Sequence, residues 1–359
     1  MRILTVIGNR PQFVKAAGVS ALLRERHEEV LVHTGQHYDD ELSRVFFEEL
    51  GVPAPDRRLE AGGGTNTEQT ARILGLMEEV LVETEPGLVL VYGDTNSTLA
   101  GALAGAQAGV AVGHVEAGMR SFDRTMPEEL NRVLVDHASA LLLCSTETAM
   151  ENLRRESVAG EAHLVGDVMA DVSLAFRPIA EERSGVLADL GLERGAYLLA
   201  TAHRAGNVDD PERLERLVEL LEALPFETVL PLHPRTAARL DSSGLRERLE
   251  SAPRLRLTPP LGYLDFLQLA AGARAILTDS GGVQKEAYLL GVPCVTLREG
   301  TEWIETVQAG WNTLVGLDRD AALAALERRA PDGERPELYG GGHAAERVRA
   351  AIDAYTQPR

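Results

Sequence analysis

Lysine is almost missing from this chain. Of its 36 basic residues, all but Lys15 and Lys285 are arginine. A position that keeps lysine against such a bias is one where a compact ammonium suits better than a planar guanidinium. Cysteine is as scarce: Cys144 and Cys294 both sit in apolar, strand-like runs, the setting of buried free thiols rather than of a disulfide. There is no H-E-x-x-H and no pair of closely spaced cysteines, so no metal site is expected. No apolar run is long enough to span a bilayer, and the opening MRILTVIGNRP reads as a strand and a polar loop without signal-peptide layout, which gives a cytoplasmic expectation. Positive charge is also short. A net charge of -19 argues against a nucleic-acid or membrane partner, which calls for a basic face. A few arginines can still hold one small phosphorylated ligand.

What is present is a regular alternation. The 359 residues suit two α/β domains better than one core. Apolar runs recur at Arg2–Ile7, Leu88–Tyr92, Val110–Val115, Leu141–Cys144 and His163–Val165. A second series follows at Tyr197–Ala200, Thr228–Leu232, Arg254–Leu257, Ala275–Thr278 and Pro293–Leu297. Amphipathic stretches such as Glu68–Glu83, Pro211–Leu224 and Val283–Leu290 lie between them. Continuous apolar strands separated by helices predict parallel sheets covered on both faces. The fold class is therefore α/β with two Rossmann-like domains. The first is expected over 1–175 and the second over 190–340, linked around Phe176–Gly195, where Pro178 falls. A last helix over 341–359 is expected to pack back on the first domain. The Gly-rich loop Ala61–Thr67 is expected to be mobile.

Ligands of open parallel sheets bind beyond the carboxyl ends of the strands, and strand after strand here ends in a polar cluster. The first series ends in Gly8-Asn9-Arg10-Pro11-Gln12, in Gly93-Asp94-Thr95-Asn96-Ser97 and in Glu116-Ala117-Gly118. The second ends in Thr201-Ala202-His203-Arg204, His233-Pro234-Arg235, Asp279-Ser280-Gly281-Gly282 and Arg298-Glu299-Gly300-Thr301-Glu302. Caps alone explain Asp, Ser, Thr and Gly at such turns. His, Glu and Arg among them, from both series, point to one site shared by the two domains in the cleft between them. The Ser280-Gly281-Gly282 turn reads as a phosphate cradle at a helix N-terminus, with a plain N-cap as the alternative. Glu286, just inside that helix, could accept hydrogen bonds from ribose hydroxyls. GNRPQ lacks the G-x-G-x-x-G of dinucleotide enzymes. Asp94, Glu116 and Glu128 are candidate acid/base groups if they converge. For Glu128 and its neighbour Glu129, complementing a helix dipole is the competing account.

Taken together, GNRPQFVKAA, GDTNSTLAGALAG, GHVEAGMRS, MPEELNRVLVDHAS, TAHR-x-GN and TDSGGVQKEA occur in this order. Over nearly its whole length the chain resembles the non-hydrolysing UDP-N-acetylglucosamine 2-epimerases. That resemblance implies the two-domain, GT-B-like fold, a UDP-sugar substrate and a homodimer. It implies inversion at C2 through elimination of UDP to a 2-acetamidoglucal and re-addition. Such redox-neutral chemistry needs no cofactor. Matched by position, Asp94, Glu116 and Glu128 are the acid/base carboxylates, and His203 is the histidine near the diphosphate. Arg10, Lys15, Ser280, Gly281 and Gly282 would hold phosphates, with Arg132 near the same charges. Glu286 would take the ribose, Phe266 the uracil, and Gln69 would lie near the active site.

Two departures from the family pattern bear on substrate and regulation. Asn9 and Gln12 stand where the common branch has Thr and Glu, and the loop from Arg120 to Pro127 is shorter. With TEWIETV at Thr301–Val307, these features are closer to the branch acting on UDP-2,3-diacetamido-2,3-dideoxyglucuronic acid. Many bacterial members bind a second, activating UDP-sugar, and Gln36, Arg204 and His233 match that site. Asp39 and Glu68 replace the family's Gln and Arg there. An acidic Glu68 should repel a diphosphate, so activation by this route is expected to be weak or absent. The rival readings are a hydrolysing epimerase, a GT-B glycosyltransferase and a silent sugar-nucleotide sensor.

Overall fold

The structure is a computed structural model and describes residues 1–36, 54–328, 330–332 and 334–355. It divides into two compact units, Met1–Val172 with Glu337–Arg359, and Ser173–Pro336. Among the described residues no helix is long and apolar enough to cross a membrane.

Unit 1 holds a seven-stranded sheet. Its strands are β1 (Arg2–Ile7), β2 (Glu28–His33), β3 (Arg57–Arg58), β4 (Leu88–Tyr92), β5 (Ala111–Ala117), β6 (Leu141–Cys144) and β7 (Glu161–Leu164), in the order β3-β2-β1-β4-β5-β6-β7. Every pairing is parallel. Helices α1 (Arg10–Leu23), α2 (Asn66–Thr84), α3 (Asn96–Gln107), α4 (Pro127–Ala138) and α5 (Glu147–Arg155) alternate with the strands. The central strands are buried throughout because helices cover both faces. On one face Phe13, Val19 and Leu23 of α1 pack with Val348 and Ile352 from the C-terminal helix Ala344–Ala354. On the other, Ile73, Met77 and Val80 of α2 pack with Leu99 and Ala100 of α3.

Unit 2 repeats the plan with six strands: β8 (Tyr197–Thr201), β9 (Glu227–Pro231), β10 (Leu255–Thr258), β11 (Ala275–Thr278), β12 (Cys294–Thr296) and β13 (Asn312–Leu314), ordered β10-β9-β8-β11-β12-β13. Helix α6 (Val168–Arg183) leads into it, followed by α7 (Pro211–Glu222), α8 (Pro234–Ser243), α9 (Tyr263–Gly272) and α10 (Gly281–Leu290). In both sheets the chain starts in the middle, builds outward to one side, then returns to the other. The order reverses between β1 and β4 in unit 1 and between β8 and β11 in unit 2. Such switch points, outside the carboxyl ends of the strands, are where open α/β sheets bind ligands.

Two local expectations change. Residues 176–195, expected as a link, are largely helical: α6 runs through Pro178 to Arg183, and Val186–Asp189 adds a further turn. Glu116 lies within β5 and not beyond it. The β5–β6 register shifts between Val115 and Ala117, and Glu116 takes a φ of 74°, so this is a bulge that re-aims one side chain. The Gly-rich loop is tied to α2: Arg72 donates to the Gly62 carbonyl at 2.7 Å, and Thr65 forms a capping box with Glu68.

Candidate active site

At the switch point of unit 1 two carboxylates stand beside two cations. Glu116, 7% exposed, is ion-paired with Lys15 from α1. Asp94, in the turn after β4, is ion-paired with Arg132 of α4, and Arg132 also approaches Glu129 at 3.3 Å. Gly93 lets the first pair lie close to the turn, since a Cβ there would sit 3.1 Å from Lys15 Nζ and 3.3 Å from Glu116 Oε2. Its φ of 63° also favours glycine. The Asp94 carbonyl accepts from Asn131 Nδ2 at 2.9 Å. An opposite charge beside each acid offsets the repulsion that converging carboxylates would otherwise suffer. Asp94 is the more accessible of the two, at 31% exposure against 7%.

Glu128, the third acid named from the sequence, is exposed on the first turn of α4. The buried acid of that turn is Glu129, which accepts from Ser121 N, Ser121 Oγ and Phe122 N, each at 2.9 Å. Gln69 is buried and joins two neighbours, accepting from Asn96 Nδ2 at 2.7 Å and donating to the Gln36 carbonyl at 3.2 Å. The Gln36 side chain accepts from Ser97 N at 3.0 Å and from Ser97 Oγ at 2.6 Å. It therefore satisfies an amide of the first turn of α3 that has no partner within the helix. Glu68 accepts from the Thr65 amide at 2.8 Å, and that bond first, then the Thr65 hydroxyl, holds its carboxyl below the ordinary range. Arg10 opens α1, and its side chain lies outside the described residues, as does Asp39.

The two departures in the first loop have structural uses. Asn9 caps α1 by accepting from Gln12 N at 3.2 Å. Gln12 is buried: its oxygen accepts from Gly8 N at 2.7 Å, while its nitrogen donates to Tyr92 O at 2.7 Å and Thr98 Oγ1 at 2.8 Å. Only a carboxamide, or a protonated acid, both accepts and donates there. Gln12 thus joins the turns after β1 and β4.

In unit 2 the organising group is Asp279, fully buried at the end of β11. It accepts from His203 N at 3.1 Å, from Arg204 N at 3.0 Å and from Asn207 Nδ2 at 3.1 Å. The turn after β8 is thereby fixed, and the His203 ring stacks on His233 with centroids 5.0 Å apart. Burial lowers the His203 pKa, with Arg204 and Arg235 adding to the effect and Asp279 opposing it. Burial, then His203 and Arg235, lowers that of His233. Both rings are therefore neutral near pH 7. His233 Nδ1 accepts from Arg235 N at 3.2 Å, which leaves its proton on Nε2.

Beside this turn, α10 begins with Ser280, Gly281 and Gly282. Ser280 is the N-cap residue but its side chain makes no capping bond, so the plain-cap alternative does not use its hydroxyl. A Cβ on Gly281 would lie 3.3 Å from Trp303 Nε1 and 3.6 Å from Glu302 Oε2. Glu302 is held by Arg298 through two 2.9 Å bonds. Burial alone would raise its pKa, but Arg298, helped by Arg204, holds it at about 2. Lys285 is buried with its ammonium 4.1 Å from the Trp303 ring centroid, a cation–π contact. Glu286 is buried two turns into α10, and Phe266 is half-buried on the first turn of α9. Asp279, Glu302 and Trp303 entered the sequence reading only as members of their segments, with no role given to their side chains. Asp279 resembled a cap, and its partners lie more than seventy residues away.

Residues 21–353 match the family described as UDP-N-acetylglucosamine 2-epimerase. A UDP-N-acetylglucosamine 2-epimerase homolog of Methanococcus maripaludis is 46% identical over 97% of this chain and 98% of its own. The UDP-2,3-diacetamido-2,3-dideoxy-D-glucuronate 2-epimerase of Pseudomonas aeruginosa is also 46% identical, over 97% of this chain and 98% of its own. The crystal structure of the Methanocaldococcus jannaschii UDP-GlcNAc 2-epimerase in complex with UDP-GlcNAc and UDP superposes with a TM-score of 0.92 at 40% identity, covering 99% of this chain and 100% of that one. The two parallel-sheet α/β units are the GT-B-like pair that the sequence motifs imply. The chain belongs to the UDP-N-acetylglucosamine 2-epimerase family of enzymes.

Proposed function

We propose that the protein interconverts the C2 epimers of a UDP-linked 2-acetamido sugar. A carboxylate of unit 1 takes the C2 proton while the C1–O bond breaks and UDP leaves with the electron pair, giving a 2-acetamidoglucal. Return of UDP to C1 and delivery of a proton to the other face of C2 completes the inversion. Electrons balance without an external oxidant or reductant. Asp94 and Glu116 are the proton carriers, with Glu128 as the third acid called by position. Lys15 and Arg132 each place a positive charge beside one of these two acids. Unit 2 supplies the diphosphate site: the first amides of α10 with Ser280, Gly281 and Gly282, flanked by Arg204 and the neutral ring of His203. A neutral imidazole there can donate to a departing phosphate oxygen and take the proton back. Glu286 takes the ribose and Phe266 the uracil.

The observation that carries this reading is the pairing of each acid with its own cation at a sheet switch point, a layout a passive binder does not need. Two sugars fit it. The Methanococcus and Pseudomonas relatives stand at equal identity, and the Gln12 carboxamide is taken up by Gly8, Tyr92 and Thr98. The test is incubation with UDP-N-acetylglucosamine and, separately, with UDP-2,3-diacetamido-2,3-dideoxyglucuronic acid, followed by chromatography of the nucleotide sugars. The expected product is the C2 epimer of one of them, still linked to UDP. Free UDP with free N-acetylmannosamine would identify a hydrolysing enzyme instead, and no conversion of either sugar would overturn the proposal.

A further inference from the structure

Between the two acid-bearing turns of unit 1 lies a buried chain of charges that the proposed reaction does not use. His114, in β5, is wholly buried, as is Asp136 of α4. His114 Nδ1 lies 2.7 Å from Asp136 Oδ1, and its Nε2 lies 2.7 Å from the Gly93 carbonyl oxygen. The other oxygen of Asp136 accepts from Gly118 N at 3.1 Å and from Arg120 Nη1 at 2.7 Å. Arg120 passes the chain on to Glu156 with bonds of 2.8 and 2.6 Å. Burial would raise the Asp136 pKa, but His114 and Arg120 outweigh it and hold the group ionised. The Gly93 carbonyl can only accept, so His114 Nε2 donates to it, while Nδ1 faces the Asp136 carboxylate.

The two backbone groups this chain grips bracket the candidate acids. Gly93 immediately precedes Asp94, and Gly118 follows Glu116 by two residues. Glu116 itself has a φ of 74°, in the left-handed region that non-glycine residues seldom adopt. Such a conformation persists only where its surroundings over-determine it. Here Gly93 N donates to Val115 O at 3.0 Å, and Asn152 Nδ2 donates to Gly118 O at 3.0 Å. A Cβ at Gly118 would collide with the Ala149 carbonyl, so that turn has no slack. Asp136 takes the remaining Gly118 amide and His114 the Gly93 carbonyl.

We infer that His114 and Asp136 are positioning residues, which lock the turns carrying Asp94 and Glu116 and hold the left-handed geometry that aims Glu116. The inference rests on the proposed epimerisation for its kinetic readout, but its structural readout does not. In a crystal structure of His114→Leu, the Gly93 carbonyl is expected to rotate and Glu116 to leave positive φ; an unchanged Gly93–Gly118 backbone would overturn the inference whatever the activity. In kinetics with the sugar that the wild type turns over, His114→Leu is expected to lower kcat about 100-fold, the scale of a misplacement near 1 Å, with KM and UDP affinity within about twofold. His114→Gln, which can return a donor to the Gly93 carbonyl, is expected to recover about tenfold of that loss. A folded His114→Leu enzyme with wild-type kcat, or one changed only in KM, would contradict the inference. Should that variant not fold, His114→Gln and Asp136→Asn carry the test, each expected to lose about tenfold in kcat alone. A wild type inactive on both sugars would count against the reaction and leave the structural arm standing.

Discussion

The two units share a sheet order and spend their carboxylates in opposite ways. At the switch point of unit 1, Glu116 and Asp94 face cations through their side chains. At that of unit 2, Asp279 is consumed in holding the backbone of His203 and Arg204, and Glu302 is consumed by Arg298. What unit 2 offers to the proposed diphosphate is neutral or positive: helix amides, two imidazoles whose pKa values are lowered, and Arg204. On the proposed function, one scaffold gives a centre for moving protons and another for holding an anion. The difference lies in whether the acid beyond the strand points at a side chain or at its own loop.

Removing an acid of unit 1 gives the sharpest contrast. Glu116→Gln is expected to lower C2-proton exchange by about 10²–10⁴-fold, the range of acid/base contributions. UDP affinity, measured by calorimetry, is expected to stay within about threefold because the proposed diphosphate site belongs to unit 2. Equal losses in both would erase the division of labour between the units.

Glu302 sharpens the same contrast through stability. Its pKa falls from an ordinary 4.5 to about 2 in the folded protein. A depressed carboxyl stabilises the fold above its unfolded value, and that contribution is lost as pH falls from 4.5 toward 2. The loss amounts to about 3 kcal/mol. Thermal unfolding followed between these pH values should show wild type losing this increment, while Glu302→Gln, already less stable at neutral pH, has a flatter profile. Parallel profiles would mean that Arg298 does not hold Glu302 in solution.

The smallest effect is expected at Glu68. Its carboxylate serves the N-terminus of α2, and Gln can serve in the same capping box. Glu68→Gln should keep the melting temperature within about 2 °C, and initial rates of both proteins should rise hyperbolically with substrate. A lag that added UDP-N-acetylglucosamine abolishes would show an activating site after all.

The sheets were legible where a strand is one unbroken apolar run. Arg2–Ile7, Leu88–Tyr92, Leu141–Cys144 and Ala275–Thr278 have the predicted bounds. β2 was not, because it opens with two glutamates, and one of them, Glu29, is buried by bonds from Thr5, Ser20 and Arg24 that no local pattern announces. β13 is three residues long, too short to carry a period. The polar strand ends drew attention to these turns, but a linear pattern does not give the direction of each side chain. Glu128 and Glu129 are adjacent on one helix, yet one is exposed and the other buried. The bulge at Glu116 lies beside Gly93, which bonds Val115, and Gly118, which bonds Asp136, and these groups come together only in the folded sheet.

The most direct test of the central claim is a proton NMR time course of the protein with UDP-N-acetylglucosamine, and in a parallel sample with UDP-2,3-diacetamido-2,3-dideoxyglucuronic acid, in heavy water. The account predicts, in one of them, a growing C2-epimer signal with deuterium at C2 and UDP still attached. An unchanged C2 proton in both samples would contradict it.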